Sequence, residues 1–282
     1  MVSNLSFLFM AVAGIFSIAL PVVLFLFWRR KHRLRIVPAL VGAAAFIVFV
    51  MVLEQLISFA ILRPDADGTI ALLSTNPALY VLYGIFAAGV FEETTRFIAF
   101  KLLRKKHDGA ETALSYGIGH GGIEAVIVLG LTSVNNIALS VMINSGSAEL
   151  PSFAGVTAET MAALVETSPF LFLVGALERV FAVSIHVSLS VFVWLAATRK
   201  GKFWLYPVAI MLHATANLSA ALMHTGVLDS ILLVEVLVGV TSLSIALLAA
   251  YLYRKLGRND EGAPISKELL EVTTVVCSMT DK

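Results

Sequence analysis

Long apolar runs are the feature that most constrains this chain. Seven stretches of about 20 or more mainly apolar residues follow one another, and a helix needs about that length to cross a bilayer. The spans are predicted at residues 5–28, 36–62, 77–103, 112–140, 168–197, 203–223 and 228–253. We therefore expect an all-α, polytopic transmembrane helix bundle over residues 1–256, with a cytoplasmic tail over residues 257–282.

The composition supports a membrane protein and limits the chemistry. Of 282 residues, 59% are hydrophobic and 14% are charged, and the mean hydropathy is +0.90. These values exclude a disordered chain and argue against a water-soluble enzyme. A net charge of +1 argues against a nucleic-acid partner. The single cysteine, Cys277, excludes a disulfide or a thiolate cluster within one chain, so any metal would need His and carboxylate ligands.

Basic residues predict the orientation of the spans, because positively charged loops stay on the cytoplasmic side of a membrane. One side carries Arg29, Arg30, Lys31, Arg33, Arg35, Arg104, Lys105, Lys106, Arg199, Lys200, Lys202, Arg254, Lys255 and Arg258. The other side carries Arg63 alone. The N-terminus is therefore predicted outside and the C-terminus in the cytoplasm, as an odd number of spans requires.

Ionisable residues inside the spans point to a function, because a charge at the bilayer centre costs several kcal/mol unless it faces protein or water. Four consecutive spans carry Glu92, Glu93 and Arg96; His120 and Glu124; Glu178, Arg179 and His186; and His213 and Asn217. At about 1.5 Å per residue, the imidazoles and Glu93 share a depth of roughly 12 to 17 Å from the predicted cytoplasmic ends. A common depth in helices of alternating direction predicts one polar layer and one site.

The spacing within each span suggests local pairs, since residues four apart share a helix face. We expect Glu92 to pair with Arg96 and His120 with Glu124, and we expect Arg179 to hold a carboxylate. Carboxylates and imidazoles in one layer can activate a water for attack on a carbonyl. The alternative is zinc, held by neutral His and Glu, with His120, His186 and His213 as candidate ligands. The composition leaves both alternatives open.

The motifs resemble those of the CPBP/PrsW-like superfamily of intramembrane proteases, and within it they are most similar to the YhfC family. The similarity covers about residues 79–220, the predicted catalytic core. It rests on Glu92-Glu93-x-x-Arg96, on Gly119-His120-Gly121-Gly122-x-Glu124, on Glu178-Arg179 followed by His186, and on His213-x-x-x-Asn217. Four motifs in order on consecutive spans are a specific signal, although each motif is weak by itself.

The resemblance implies an intramembrane endopeptidase of the glutamic type, which hydrolyses membrane-associated proteins or peptides without a cofactor. It implies Glu92 as the base, with Glu93 as the second choice, and either His120 or His186 as the activating imidazole. His213 and Asn217 would line the oxyanion site. Arg96, Glu124, Glu178 and Arg179 would support the catalytic residues. The implied location is a bacterial cytoplasmic membrane.

One difference from the prenyl-protein endopeptidases in that superfamily limits the substrate. In those enzymes the basic residue of the first motif stands one position further on, and the second motif has Phe before its His. The sequence therefore gives no support for processing of prenylated proteins.

Two other function classes remain open. A proton-coupled secondary transporter would use the same Glu and His residues as a relay, but the sequence shows no inverted repeat. A non-catalytic scaffold would be expected to lose motif residues, and none is missing. Glu54 and Glu235 lie in spans without a clear partner in the sequence, and we expect them to make interior helix contacts.

Overall fold

The computed structural model describes residues 1–65, 68–146 and 157–256, and within these ranges the chain forms nine helices and no strand. The helices are α1 (Asn4–His32), α2 (Ile36–Leu62), α3 (Ala71–Thr75), α4 (Pro77–Leu103), α5 (Glu111–Ser145), α6 (Ala158–Glu166), α7 (Pro169–Thr198), α8 (Leu205–His224) and α9 (Ile231–Leu256). The predicted all-α fold class is confirmed. The predicted tail over residues 257–282 lies outside the described residues.

Six of these helices are long and apolar enough to cross a membrane: α1, α2, α5, α7, α8 and α9. Helix α4 has 27 residues but carries Glu92, Glu93 and Arg96 in its second half. Each predicted span coincides with a long helix to within a few residues at either end. The chain is thus a multi-pass membrane protein, and the count of seven spans and the orientation stay predictions.

Local sequence explains where several helices begin. The Asn76 side chain accepts a hydrogen bond from the backbone N–H of Leu79 at 3.1 Å, and Pro77 occupies the first turn of α4. Ser3 caps α1 in the same way, and Thr157 caps α6. These side chains satisfy N–H groups that the first turn of a helix leaves unpaired, and proline fits there because its missing N–H is not needed.

Helix α7 is the centre of the bundle. In its most apolar stretch 78% of the residues are buried, against at most 33% in the other five candidate spans. It packs against α1, α4, α5, α8 and α9. Polar side chains in that stretch, such as His186 and Ser190, therefore face other helices rather than lipid.

Two glycines bring α5 close to its neighbours. A Cβ atom at Gly119 would collide with the backbone carbonyl of Ala39 in α2, and one at Gly117 would lie 2.5 Å from Cα of Val187 in α7. Small residues allow such close approach between membrane helices. The resulting contact places the His120 and His186 rings 5.0 Å apart, centroid to centroid.

Two helices contain π-helical segments, Phe46–Glu54 in α2 and Val126–Leu131 in α5. Such segments are rare and often mark functional sites. The buried residues of the first segment are Phe46, Val50 and Glu54. Phe46 packs edge-on against His120, with ring centroids 5.2 Å apart, so α2 also borders the polar layer.

Candidate active site

Glu92 is the centre of the polar layer. His120 Nε2 lies 2.9 Å from Glu92 Oε2 within a hydrogen bond, and His186 Nδ1 lies 3.6 Å from the same oxygen. His213 Nε2 lies 3.7 Å from the other oxygen, Oε1. Glu92 and all three histidines are buried. Imidazoles from α5, α7 and α8 thus surround one carboxylate from α4.

An inner cluster, formed by Glu93, Arg96 and His213, lies behind this centre. Arg96 Nη1 donates to both carboxylate oxygens of Glu93 at 2.5 Å, and both side chains are fully buried. His213 Nδ1 is hydrogen-bonded to Glu93 Oε1 at 2.7 Å. Hydrogen bonds between a guanidinium and a carboxylate are stronger than those between neutral groups, because both partners are charged. Arg96 thus fixes the position of Glu93. Glu93 orients the His213 ring so that its Nε2 atom faces Glu92.

An outer cluster, formed by Glu124, Glu178, Arg179 and His186, lies on the other side of the centre. Arg179 donates to Glu124 Oε1 at 3.0 Å and to Glu178 Oε1 at 2.5 Å. His186 Nε2 lies 2.5 Å from Glu124 Oε2 in an ion-pair contact that is not aligned as a hydrogen bond. Glu178 is 40% exposed, so this cluster reaches the bundle surface.

The structure corrects two of the predicted local pairs. Arg96 pairs with Glu93 rather than with Glu92, so the pairing expected from the four-residue interval is wrong. Glu124 contacts His186 of α7 rather than His120 of its own helix. In both cases the partner chosen depends on how the helices are rotated against each other, which spacing within one helix does not determine. Arg179 holds carboxylates, as expected.

Asn217 is the predicted site residue that makes no polar contact with the centre or with either cluster in the described part of the chain. It lies one turn after His213 on α8, is half-buried, and makes no hydrogen bond among the described residues. The other nine predicted site residues lie in the centre or in the two clusters. The role proposed for Asn217 therefore depends on contact with a substrate.

Sequence reasoning missed the aromatic wall around His120. Phe46 meets the ring edge-on, and Tyr116 lies stacked beside it with centroids 5.8 Å apart. Aromatic residues are ordinary members of apolar runs, so no sequence signal distinguishes these two. The His120 Nδ1 atom is buried without a hydrogen-bond partner among the described residues.

Three of the buried side chains could hold a metal ion. One ligand atom each from Glu92, His120 and His186 lie within 4.8 Å of one another. The contacts of 2.9 and 3.6 Å from Glu92 to the two rings bracket the separation of about 3.4 Å expected for ligands of tetrahedral zinc bound at about 2.1 Å. Two His and one Glu are also a known catalytic zinc set. The residues fit a metal, with Glu92 in place of the third predicted ligand, His213.

Comparison with known proteins places this site in a family. The family described as YhfC intramembrane metalloprotease matches residues 16–238. The chain belongs to the YhfC family. The membrane protein YhfC of Bacillus subtilis is 31% identical to it over 256 residues, which cover 89% of this chain and 96% of that protein. No solved structure matches.

Membership in the YhfC family bears on the activity in two ways. The family description names intramembrane proteolysis, in agreement with the activity expected from the motifs. It also names a metal, whereas the resemblance drawn from the motifs implied hydrolysis without a cofactor. The matched residues 16–238 include every residue of the centre and of both clusters.

Proposed function

We propose that this protein is an intramembrane protease that hydrolyses peptide bonds of membrane-associated proteins at the Glu92 centre. The observation that carries the proposal is the convergence of three imidazoles, from three different helices, on one buried carboxylate. Charged groups inside a membrane are costly, and their collection at one point is typical of a catalytic or transport site. The family description favours catalysis.

We further propose that the hydrolysis depends on a divalent metal such as zinc. Glu92, His120 and His186 would hold it. When bound, the metal supplies a Lewis acid that polarises a carbonyl and makes a bound water acidic near neutral pH. His186 supports this role, since its Nε2 faces the Glu124 carboxylate and its Nδ1 faces Glu92. Histidine ligands commonly hold a carboxylate with their second nitrogen in this way.

The chain's own residues have separate tasks in this scheme. Glu93 accepts a hydrogen bond from His213 Nδ1 and so leaves Nε2 on the Glu92 side, where the doubly protonated ring would donate to the oxygen of a substrate carbonyl. Asn217, one turn away on α8, would be the second donor. Arg96 neutralises Glu93, and Arg179 neutralises Glu124. Burial of the whole centre keeps bulk water away from these charges.

A metal-free version of the same reaction has one specific observation in its favour. Arg96 Nη2 lies 3.1 Å from His186 Nδ1, and because guanidinium only donates, it occupies the lone pair that would bind the metal. In that version Glu92 takes a proton from water, with His120 hydrogen-bonded to it at 2.9 Å. This is the glutamic-type mechanism implied by the motifs.

Proteolysis is tested by comparing new protein N-termini in membranes that carry wild type, Glu92→Ala or His213→Ala at matched expression. We expect a set of peptides found only with wild type, which would also identify the substrate. Glu235→Gln is the matched control, since it changes another glutamate inside a helix, the half-buried one on α9, and should keep those peptides. The same peptides in all four samples would contradict the proposal and would make proton flux in liposomes, the transporter assay, the next experiment.

The metal is tested separately by elemental analysis of the purified protein. About one equivalent of zinc in wild type and none in the His120→Ala, His186→Ala double variant would support the metal version. Cleavage that continues after complete removal of metal by a chelator would contradict it and favour the metal-free version. His213→Ala should keep its metal, because His213 lies outside the three-residue group.

A further inference from the structure

One buried carboxyl group near the centre has no role in the scheme above. Glu54 lies on α2, is 8% exposed, and its Oε2 atom has no hydrogen-bond partner among the described residues. A buried carboxyl without a partner is costly, most of all inside a membrane. Native structures rarely leave such a group without a partner, and a catalytic role is one of the reasons for the exceptions.

The backbone directs Glu54 towards the centre. Phe46, Val50 and Glu54 are the buried residues of the π-helical segment, and they follow one another at intervals of four, so they form one inward stripe. Phe46, at one end of the stripe, packs against His120. The segment packs against α4, the helix that carries Glu92, and Glu54 at its other end interacts with the charges of Glu92 and His213.

The other buried carboxylates of the site already have partners. Glu92 contacts three imidazoles, Glu93 contacts Arg96, and Glu124 contacts Arg179. Glu235 also has an oxygen without a hydrogen bond, but its charged neighbours are Glu178 and Arg179 rather than the centre. Within the described ranges, Glu54 is the carboxyl group facing the Glu92 helix that has neither a hydrogen bond nor an ion pair.

The packing of α2 changes directly after Glu54. None of the residues that follow it in α2, Gln55–Leu62, is buried. A cavity of about 500 Å³ lies along this part of α2, and its lining includes Met51, Gln55 and Phe59 but not Glu54. The buried stripe of α2 thus ends at Glu54, next to residues that border this cavity.

We propose that Glu54 is a further catalytic residue, which protonates the amine that leaves during peptide hydrolysis. The inference rests on the proposed function. Water adds to the carbonyl carbon and releases one proton at the centre. As the C–N bond breaks, the Glu54 carboxyl gives its proton to the amine nitrogen, and the proton released by the water then restores it. The products are one carboxylic acid and one amine.

The test compares two bonds that need this proton to different degrees. The probes are a synthetic peptide that spans the cleavage site found from the new N-termini, and its depsipeptide, in which an ester replaces the scissile amide. The alkoxide of an ester can leave without full protonation. The nitrogen of an amide has to be protonated as the C–N bond breaks. We expect Glu54→Gln to slow cleavage of the peptide at least about 100-fold, and that of the ester less than about 10-fold.

Two further variants control for structure. Glu54→Asp keeps a carboxyl group and should recover part of the peptide cleavage, and Glu235→Gln should cleave both probes like wild type. Equal losses on the two bonds in Glu54→Gln, or unchanged peptide cleavage, would overturn the role of Glu54. Equal cleavage by wild type and Glu92→Ala would instead overturn the proposed function, and this inference with it.

Discussion

The inner and outer clusters contain the same series of contacts but differ in burial. In each, an arginine holds a glutamate and the glutamate holds a histidine that faces Glu92. In the inner cluster Arg96 and Glu93 are both fully buried. In the outer cluster Glu124 is 16% exposed, and its arginine also contacts Glu178, which is 40% exposed.

This difference in burial predicts which cluster is needed for the fold and which cluster mainly positions a histidine. An intact buried ion pair contributes little net stability. Loss of one partner is strongly destabilising, because it leaves a buried charge without a counter-ion. A partly exposed pair is less tightly enclosed, so the remaining group can move away from the site when its partner is lost. We therefore expect damage to the inner cluster to affect the fold, and damage to the outer cluster to affect mainly the position of His186.

The largest expected effect is that of Arg96→Met. It leaves Glu93 buried without a cation, and breaking such a pair costs about 3 to 5 kcal/mol. Thermal unfolding of the purified protein in detergent would show this as a large fall in the midpoint. The double variant Glu93→Gln, Arg96→Met should recover much of the loss, because no charge is left unpaired. If Arg96→Met alone were as stable as wild type, the inner cluster would not be needed for the stability of the fold.

The next effect concerns metal binding. Glu124→Gln removes the charge that faces His186 and should weaken zinc binding by roughly 10- to 100-fold, the usual cost of losing a carboxylate behind a ligating histidine. Competition with a chelator of known affinity measures it. His213→Ala is the comparison, and it should bind zinc like wild type. Equal weakening in both would show that the two clusters do not differ in this respect.

A smaller effect is expected for Arg179→Met, the counterpart of Arg96→Met in the outer cluster. Glu124 is 16% exposed and still contacts His186, so we expect a smaller loss, of about 1 to 2 kcal/mol, in the free energy of unfolding. The same thermal measurement places the two arginine variants on one scale. If Arg179→Met were the more damaging of the two, exposure would not be what separates the clusters.

The smallest effect is expected for Glu178→Ala. This side chain is the most exposed member of the outer cluster. Surface ion pairs contribute about 0 to 1 kcal/mol, and we expect a change of no more than about 0.5 kcal/mol and cleavage close to that of wild type. Cleavage of the synthetic peptide measures it. A strong loss of cleavage would mean that Arg179 needs its contact with Glu178 in order to hold Glu124 in place.

The helix positions could be predicted from the sequence, because a chain segment inside lipid has to pair its own backbone N–H and C=O groups and therefore forms a helix. The predicted span 36–62 and the helix Ile36–Leu62 have the same limits, although nine of those residues are π-helical. That local change in winding has no simple sequence signal. Without it, the inward stripe from Phe46 to Glu54 could not be predicted, and Glu54 was expected only to make interior helix contacts.

The sequence by itself determined the helical spans and the motif residues, because bilayer thickness fixes span length and charged residues inside a span have to face protein. Only the tertiary structure decided which groups meet: Arg96 with Glu93, and Glu124 with His186. The physical reason is that contacts between helices depend on their rotation and on how closely their backbones approach. Close packing at Gly117 and Gly119 sets that approach here.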